Sequence, residues 1–435
     1  HVTHWLCAYP QWGSEPANPS QRFGVHLGCL DPTREEVYVA LASLFAEVAQ
    51  VFPDRYVHVG GDEVNPTWWQ RSEAIQAFIA ERNLHDERGL QNYFFQRVQG
   101  ILGTLGKQVI GWDEVLHERM PDCVVQNWRG ATTRDRALAA SRSCIVSAPF
   151  YLDLHFAADI HYQFDPHMPQ QEWLRMEDAL AEDRRLWHIA PALGWTHQWR
   201  EGAVDLERHP SAEVLGGEAC LWSELVDAAT LPMRLWSRLP AIAERLWSPA
   251  DCRDLTDFYR RLEPLLEFPE LSCAAHQHRC LHNLGLSDLQ IEVVRWLEPT
   301  KWYSRLLGAQ AMQARLQGAE MPQARPYQVD TPLNRVVDYL LPESLDARQQ
   351  MREPDLQALA DTCDQALAQP WTGIDDDLVR ALRATREALA LAQQAKIDTQ
   401  TKARVVSMLE DCYRPYGEYM PALIHHLIDW VSQTP

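Results

Sequence analysis

Five short apolar runs constrain the fold of this chain more than any other feature of its sequence. They lie at 56–59, 108–111, 123–126, 144–148 and 214–220. Their apolar residues are continuous rather than alternating, which is typical of parallel strands that are buried on both faces. Helical patterns lie between most of them, with Glu35–Val51 before the first run and 90–105 after it. Because strands that alternate with helices form parallel sheets, the sequence predicts an α/β fold.

Glycine usage divides the chain into two parts. Of the 20 glycines, fifteen lie at or before Gly217, and glycine favours sharp turns over helices. After the last run, Leu235, Leu239, Ile242 and Leu246 predict one apolar helix face. The proline-rich stretch 321–332 predicts a linker or an extended segment that runs over the surface, and a further helix is expected over 375–395. The C-terminal part should therefore be mostly helical.

Charge and hydropathy exclude some classes of function. The 435 residues carry a formal net charge of −20, which argues against a nucleic-acid partner because phosphate backbones require basic surfaces. No apolar run approaches the length of a membrane span. The ten cysteines form no C-x-x-C pair, and the 17 tryptophans suit either sugar rings or a core. A neutral substrate is compatible with this composition.

Acidic and aromatic residues follow the apolar runs, where the predicted strands end. The five segments are Gly60-Gly61-Asp62-Glu63, Gly111-Trp112-Asp113-Glu114, Asn127-Trp128-Arg129, Tyr151-Leu152-Asp153 and Trp222-Ser223-Glu224. Barrel enzymes place their active sites at the C-terminal ends of parallel strands. A doubly wound sheet also binds ligands at that edge, but in one crevice rather than around a ring. The pattern therefore favours a (β/α)8 TIM-type barrel.

Asp62 and Glu63 are the strongest candidates for catalysis. Adjacent side chains of a regular strand face opposite ways, but the two preceding glycines let the chain leave strand geometry. Both carboxylates can then reach one pocket, where their mutual repulsion keeps one of them protonated. The alternative is a solvated acidic pair at the start of a loop, which the preceding apolar run and Gly-Gly disfavour.

With these residues in place, the sequence resembles glycoside hydrolase family 20, the β-N-acetylhexosaminidases. The matching motifs are His58-Val59-Gly60-Gly61-Asp62-Glu63, Gly111-Trp112-Asp113-Glu114, Gln126-Asn127-Trp128-Arg129-Gly130, Tyr151-Leu152-Asp153, Gly217-Glu218-Ala219-Cys220-Leu221-Trp222-Ser223-Glu224 and Ala243-Glu244-Arg245-Leu246-Trp247-Ser248. The resemblance covers roughly 1–286. Several motifs in the family's order, most of them at predicted strand ends, make the match specific.

The resemblance implies a retaining, substrate-assisted hydrolysis of terminal β-linked N-acetylglucosamine or N-acetylgalactosamine. In this family the substrate's own 2-acetamido oxygen attacks the anomeric carbon in place of a protein carboxylate. By resemblance, Glu63 is the general acid/base, and Asp62 holds the acetamido N–H and the charge of the cyclic cation. Tyr151 would donate its hydroxyl to the acetamido carbonyl.

The resemblance also implies substrate-binding residues. Trp112, Trp128 and Trp222 would form the wall around the acetamido methyl group and the sugar face, while Asp153 and Glu224 would hold sugar hydroxyls. The alternatives are that the tryptophans belong to the barrel core and that Tyr151 is an ordinary interface tyrosine. His58 is expected at most to support the acidic pair from behind. Asp113 and Glu114 are expected to make loop hydrogen bonds only.

His1 resembles the histidine that ends the family's Pro-Glu-Ile-Asp-x-Pro-Gly-His segment, and by that likeness it would bind substrate. With this alignment, the chain is expected to represent the barrel from about its fourth strand onward, with the earlier strands upstream of His1. We predict a catalytic barrel over 1–288 and a helical C-terminal domain over 289–435.

Two other functions are weighed against this one. A metal-dependent barrel hydrolase would use His58, Asp62 and His155, although the His-x-His pair expected at a strand end is missing. The second is a sugar-binding pseudoenzyme or inactive fragment. The family resemblance implies no metal and no organic cofactor, a carbohydrate as partner, and a periplasmic, secreted or lysosome-like location. The sequence does not determine the oligomeric state.

Overall fold

The computed structural model describes residues 2–117, 122–193, 200, 206–266, 268, 271–318, 327–394 and 399–433. The chain divides into two compact units. The sheet unit comprises His1–Pro149, Pro166–Trp173 and Thr196–Glu218. The helical unit comprises Phe150–Asp165, Leu174–Trp195 and Ala219–Pro435.

Five parallel strands form the sheet of the sheet unit. They are β1 (Tyr56–His58), β2 (Gln108–Trp112), β3 (Cys123–Asn127), β4 (Cys144–Val146) and β5 (Val214–Gly217). Their order in the sheet follows the chain, and each neighbouring pair is parallel. The five predicted strands and their parallel arrangement are therefore confirmed. Among the described residues β1 and β5 are the two edges of the sheet, so closure into a barrel stays a prediction.

The inner strands are buried as their composition predicts. Val109, Val125, Cys144 and Val146 are each at most 1% exposed. Full burial of an aliphatic side chain of this size contributes about 1.5–3 kcal/mol. The edge strand β1 differs, since Tyr56 is 38% exposed and no strand among the described residues pairs with its outer side.

Helices fill much of the remaining chain. The α-helices are Thr3–Ala8, Glu35–Val51, Thr67–Arg71, Glu73–Glu81, Glu87–Thr104, Ala131–Ala139, Ala158–Gln163, Gln170–Glu182, Ala190–Leu193, Leu231–Leu235, Leu239–Trp247, Leu255–Leu265, Cys273–Asn283, Asp288–Val294, Trp302–Leu316, Leu345–Gln350, Leu356–Leu367, Asp376–Gln393, Thr399–Cys412 and Ala422–Gln433. The helix Glu35–Val51 has the predicted bounds, and the helix predicted over 90–105 is Glu87–Thr104.

The prediction of a single helix over 235–246 is wrong. The chain forms two helices there, Leu231–Leu235 and Leu239–Trp247, and Leu246 is 38% exposed. Pro240 explains the break, because a proline inside a helix removes an N–H donor and clashes with the preceding turn. At the start of the second helix, where Pro240 lies, a proline is tolerated.

The helical unit has its own core, and the part of the chain with few glycines is mostly helical, as predicted. One cluster of buried side chains among the described residues includes residues of the helices Leu356–Leu367, Asp376–Gln393 and Ala422–Gln433. The predicted apolar side of the helix over 375–395 is confirmed, because Leu378, Leu382 and Leu389 are fully buried.

A short antiparallel pair, β6 (Glu298–Pro299) with β7 (Tyr419–Met420), also belongs to the helical unit. Of the stretch 321–332 that was predicted to be a linker, 321–326 lie outside the described residues. None of the helices that the structure describes is both long and apolar enough to cross a membrane.

Candidate active site

The chain leaves strand geometry directly after β1. Gly60 and Gly61 have φ angles of 73° and 100°, and Glu63 has a φ of 50°. A Cβ atom at Gly61 would lie 2.3 Å from the Phe95 ring, so only glycine fits there without a shift of the ring. The turn that two glycines predicted is therefore present, and it frees the acidic pair from the alternation of the strand. Asp62 is half-buried in this turn and Glu63 is exposed.

His58 and Trp112 meet at the ends of β1 and β2. Their ring centroids are 5.0 Å apart with an interplanar angle of 64°. The Nδ1 atom of His58 accepts a hydrogen bond from the backbone N–H of Gly60 at 3.0 Å. His58 thus contacts the backbone of the turn that carries the acidic pair. Trp112 is 8% exposed.

A cavity of about 260 Å³ adjoins the acidic turn within the sheet unit. Its lining includes Asp62 and Glu63 together with the apolar side chains of Val25, Trp69 and Phe94. A concave, mostly apolar space with a few polar groups is the usual form of a small-molecule site. The acidic pair therefore lies where a ligand can reach it.

Asp113 organises the segment that follows β3. Its fully buried carboxylate accepts hydrogen bonds from the Asn127 side-chain amide at 3.0 Å and from the backbone N–H groups of Trp128 and Arg129 at 3.2 and 3.1 Å. It also accepts from the Thr133 hydroxyl at 2.9 Å and forms a salt bridge with Arg129. The hydrogen bonds expected of Asp113 therefore hold the backbone of Trp128 in place.

We expect Asp113→Ala to lower the free energy of unfolding of the sheet unit by about 3–5 kcal/mol, because Arg129 and the other donors would lose a buried anion. Urea-induced unfolding, followed by circular dichroism, measures this change. The control is Glu35→Gln, which removes the charge of an exposed ion pair with Arg97 and should change the transition little. Equal effects of the two substitutions would contradict the role of Asp113.

Glu114 contacts two of the predicted site residues. Its Oε2 atom accepts a hydrogen bond from the indole N–H of Trp128 at 2.9 Å, and its Oε1 atom accepts from the backbone N–H of Glu63 at 3.4 Å. Burial and the neighbouring negative charge of Asp113 raise the pKa of Glu114 to about 7. The sequence predicts only loop hydrogen bonds for Glu114, and the contact with the turn of Glu63 was not expected.

A second polar link crosses the sheet near the same strand ends. The side-chain amide of Gln126 donates to the Glu218 carboxylate at 2.7 Å and to the Ser147 hydroxyl at 2.9 Å. Gln126 and Glu218 both belong to motifs that match the family, but neither was predicted to be a site residue. A polar residue within an apolar strand, such as Gln126, was the available signal.

In the helical unit, the segment at Tyr151 pairs with Cys220. The backbone N–H of Leu152 donates to the Cys220 carbonyl at 2.7 Å, and the N–H of Cys220 donates to the Phe150 carbonyl at 3.0 Å. Tyr151 and Cys220 form a parallel bridge. The pairing brings together the two segments that contain the predicted residues Tyr151 and Trp222. Trp222 is 43% exposed.

Asp153 and Glu224 form a pair of neighbouring acids in the helical unit. Asp153 is 5% exposed, and burial together with the negative charge of Glu224 raises its pKa to about 8. The Oδ1 atom of Asp153 and the Oε2 atom of Glu224 are buried without a hydrogen-bond partner among the described residues. Because buried polar atoms without partners are costly, this pair favours a ligand with hydroxyl groups.

His155, which the metal-dependent alternative requires, lies in a positive environment. It is 1% exposed, and burial followed by the charges of Arg234 and Arg238 lowers its pKa well below the usual range. The same charges would repel a divalent cation. This environment weighs against a metal centre at His155.

Another group with metal-ligand chemistry lies on the last helix. The ligand atoms of His425, His426 and Asp429 are all within 4.8 Å of one another. Arg184 binds Asp429 at 3.0 Å, however, and burial, followed by the charges of His426, Arg185 and Arg184, lowers the pKa of His425 well below its usual range. This positive surrounding disfavours a cation here as well.

His1 lies outside the described residues, so its predicted part in substrate binding is not tested. Of the other predicted site residues, the sheet unit contains His58, Asp62, Glu63, Trp112 and Trp128, and the helical unit contains Tyr151, Asp153, Trp222 and Glu224.

Comparison with known proteins adds independent findings. The model of the family "Glycosyl hydrolase family 20, catalytic domain" matches residues 1–250. The chain is similar to beta-hexosaminidase subunit beta of Homo sapiens, at 34% identity over 243 residues that cover 54% of this chain and 38% of that protein. It is also similar to beta-hexosaminidase subunit alpha of Bos taurus, at 30% identity over 256 residues that cover 57% and 42%.

A solved structure resembles this protein over nearly the whole length of the chain. The chitobiase of Flavobacterium johnsoniae superposes with a TM-score of 0.74 at 25% identity, covering 99% of this chain and 64% of that one. The chain thus matches about two fifths of the length of these two curated relatives and under two thirds of the chitobiase.

Proposed function

The chain belongs to glycoside hydrolase family 20, and from that premise we propose that the protein removes terminal β-linked N-acetylglucosamine or N-acetylgalactosamine from the non-reducing ends of glycans. The observation that carries the proposal is the left-handed turn that presents Asp62 and Glu63 at the end of a parallel strand. Trp112 and Trp128 at the ends of the next two strands support it.

The first step breaks the glycosidic bond with the help of the substrate. The carbonyl oxygen of the 2-acetamido group forms a bond to the anomeric carbon while the bond to the leaving oxygen breaks. Glu63 gives its proton to that oxygen. Asp62 accepts the acetamido N–H and offsets the positive charge that develops on the cyclic intermediate. Because attack is intramolecular, orientation supplies much of the rate.

The second step restores the enzyme. Glu63, now ionised, accepts a proton from water as the water oxygen attacks the anomeric carbon from the side that the leaving group vacated. The ring of the cyclic intermediate opens, and the acetamido group is regenerated. Two inversions at one carbon give net retention of configuration.

Substrate-binding roles complete the proposal and rest on the family resemblance. Trp112, Trp128 and Trp222 enclose the acetamido methyl group and the sugar face, and Tyr151 donates to the acetamido carbonyl. Protonated Asp153 can donate to a sugar hydroxyl oxygen while Glu224 accepts from one, which agrees with the raised pKa of Asp153.

The finer architecture is also a proposal. We assign the five parallel strands to a (β/α)8 TIM-type barrel, present from about its fourth strand onward, with a catalytic domain over 1–288 and a helical domain over 289–435. The similarity to the chitobiase at a TM-score of 0.74 supports this assignment.

The proposal is tested by comparing two aryl substrates with the full protein. An aryl N-acetyl-β-glucosaminide should be hydrolysed, whereas the matching aryl β-glucoside, which lacks the acetamido nucleophile, should not. Polarimetry or NMR of the first product should show the β-anomer. Binding of N-acetylglucosamine without turnover would favour a sugar-binding pseudoenzyme, and equal turnover of both substrates would refute substrate assistance.

A further inference from the structure

Glu114 contacts both the turn of Glu63 and the indole of Trp128, two parts of the site to which the family resemblance assigns different roles. We propose that Glu114 is a positioning residue, which holds the turn of the general acid and the indole of Trp128 in a fixed relation. This role rests on the proposed function and deepens it, since Glu114 itself touches no reacting atom.

The two carboxylate oxygens of Glu114 bind different neighbours. Glu114 lies in the short 3-10 turn Asp113–Val115 that directly follows β2. Oε2 accepts from the indole N–H of Trp128, which follows β3, at 2.9 Å, and Oε1 accepts from the backbone N–H of Glu63, which follows β1, at 3.4 Å. Since β2 lies between β1 and β3, one side chain links the ends of three adjacent strands.

The contact with Glu63 acts on a strained part of the backbone. Glu63 is a non-glycine residue in the left-handed region, with φ at 50°. Such a conformation persists only where the surroundings hold it, and it is common at active sites. The bond from the Glu63 N–H to Glu114 is one such restraint. Because the backbone of Glu63 sets the direction of its carboxyl group, loss of this bond should misplace the acid.

The two adjacent acids of this turn bind different parts of Trp128. The carboxylate of Asp113 holds the backbone N–H of Trp128 at 3.2 Å, and that of Glu114 holds its indole N–H. The tryptophan is therefore fixed at both ends. A ring that is held in this way gives the acetamido group one defined wall, as intramolecular attack requires.

The charges around Glu114 agree with this role. Burial and Asp113 raise its pKa to about 7, while Arg129 and the Trp128 bond favour the ionised form. The ionised carboxylate can accept both hydrogen bonds, whereas the protonated form gives up one acceptor position to its own proton. Both restraints should therefore be strongest above pH 7.

The first test measures kinetics of Glu114→Ala and Glu114→Gln in the full protein. We expect Glu114→Ala to lower kcat on an N-acetylglucosamine disaccharide by about 10²-fold, the scale of a small misplacement, with a smaller change in KM. Glu114→Gln keeps the shape of the side chain and one acceptor, so its kcat should lie between those of the wild type and Glu114→Ala. The dependence of kcat on pH near 7 that Glu114 causes should be lost in Glu114→Gln. The loss should be greater for a disaccharide than for an aryl substrate, because the latter needs less help from the acid.

The matched control is Glu87→Gln. Glu87 is also a half-buried glutamate of the sheet unit, and its carboxylate accepts from the side-chain amide of Gln76, on the helix Glu73–Glu81, at 3.1 Å. Its substitution should leave kcat and the pH profile unchanged. If kcat and the pH profile of an active protein do not change in Glu114→Gln, or if Glu87→Gln has the same effect, the proposal is overturned.

The second test does not depend on activity. In protein labelled with ¹⁵N-tryptophan, the indole resonance of Trp128, assigned by its loss in Trp128→Phe, should shift with a midpoint near pH 7. The shift should vanish in Glu114→Gln, and an unchanged titration there would overturn the proposal. If the wild-type protein hydrolyses no N-acetylhexosaminide yet this titration is present, the proposed function fails while the link from Glu114 to Trp128 stands.

Discussion

Glu63→Gln is expected to lower kcat on an N-acetylglucosamine disaccharide by about 10²–10⁴-fold, the usual contribution of a positioned general acid. The amide preserves the size of the side chain but has no proton to give to the leaving oxygen. An aryl substrate with an acidic phenol as leaving group needs little protonation, so its first step should lose much less. Steady-state kinetics of both substrates with the full protein measure the difference between these two losses.

The control for this substitution is Glu47→Gln, at an exposed position on the helix Glu35–Val51. It removes one carboxylate from the same unit and should leave both rates unchanged. If Glu63→Gln reduced kcat/KM by the same factor for both substrates, the side chain would not act as the acid, because kcat/KM does not include the second step, in which Glu63 acts as a base with either substrate. The strained turn at Glu63 would then require another explanation, such as a purely structural one.

The strands and the acidic turn could be predicted from the sequence because their signals are local. A continuous apolar run specifies a buried parallel strand, and all five predicted runs became strands of one sheet. Gly60 and Gly61 specified the turn in the same way, since two adjacent glycines predict positive φ angles and both are observed.

The network behind the site could not be predicted because its bonds join distant parts of the chain. The Asp113 bonds reach Asn127 and Thr133, 14 and 20 residues away, and Gln126 bonds to Glu218 over 92 residues. A single carboxylate in a loop looks the same in sequence whether it is solvated or accepts five hydrogen bonds. The register of β2 against β3 brings Asp113 to Asn127, and the strand order β3-β4-β5 brings Gln126 to Glu218.

The buried side chain of Arg238 is one reason why the prediction of a single amphipathic helix over 235–246 is wrong. Leu235, Leu239, Ile242 and Leu246 suggest one apolar face, but the fully buried residues include Arg238, whose guanidinium donates to the Phe156 and Arg234 carbonyls. Arginine is rarely buried unless it is paired, so the spacing of the apolar residues predicts an exposed position for Arg238. Pro240 is a local signal for the break between the two helices, but the prediction followed the spacing of the leucines instead.

Replacement of the substrate's acetamido group by mono-, di- and trifluoroacetamido groups is expected to lower kcat steeply with each fluorine. Fluorine withdraws electron density from the carbonyl oxygen, which is the proposed nucleophile, while it changes the leaving group not at all. The adjacent placement of Asp62 and Glu63, with Trp112 and Trp128 at the next strand ends, motivates this expectation. Aryl glycosides with one leaving group, measured at saturating concentration, give the dependence directly.

Asp62→Asn should act on the same step. Removal of its charge leaves the positive intermediate without its counter-ion, and the loss of one group that stabilises a developing charge typically costs on the order of 10²–10³-fold in kcat. Asp54→Asn, an exposed aspartate two residues before β1, is the control and should behave as the wild type.

The two experiments together distinguish a substrate nucleophile from a protein nucleophile. If a carboxylate of the protein attacked the anomeric carbon, fluorination would have little effect on kcat, and a glycosyl ester would accumulate on an aspartate or glutamate when the second step is slow. Mass spectrometry of the quenched protein detects such an ester. A retaining enzyme of that kind also requires two carboxyl groups about 5–5.5 Å apart on opposite sides of the bond. Asp62 and Glu63 are neighbours on one turn, which favours the proposed attack by the substrate over this arrangement, and a flat response to fluorine would refute that proposal.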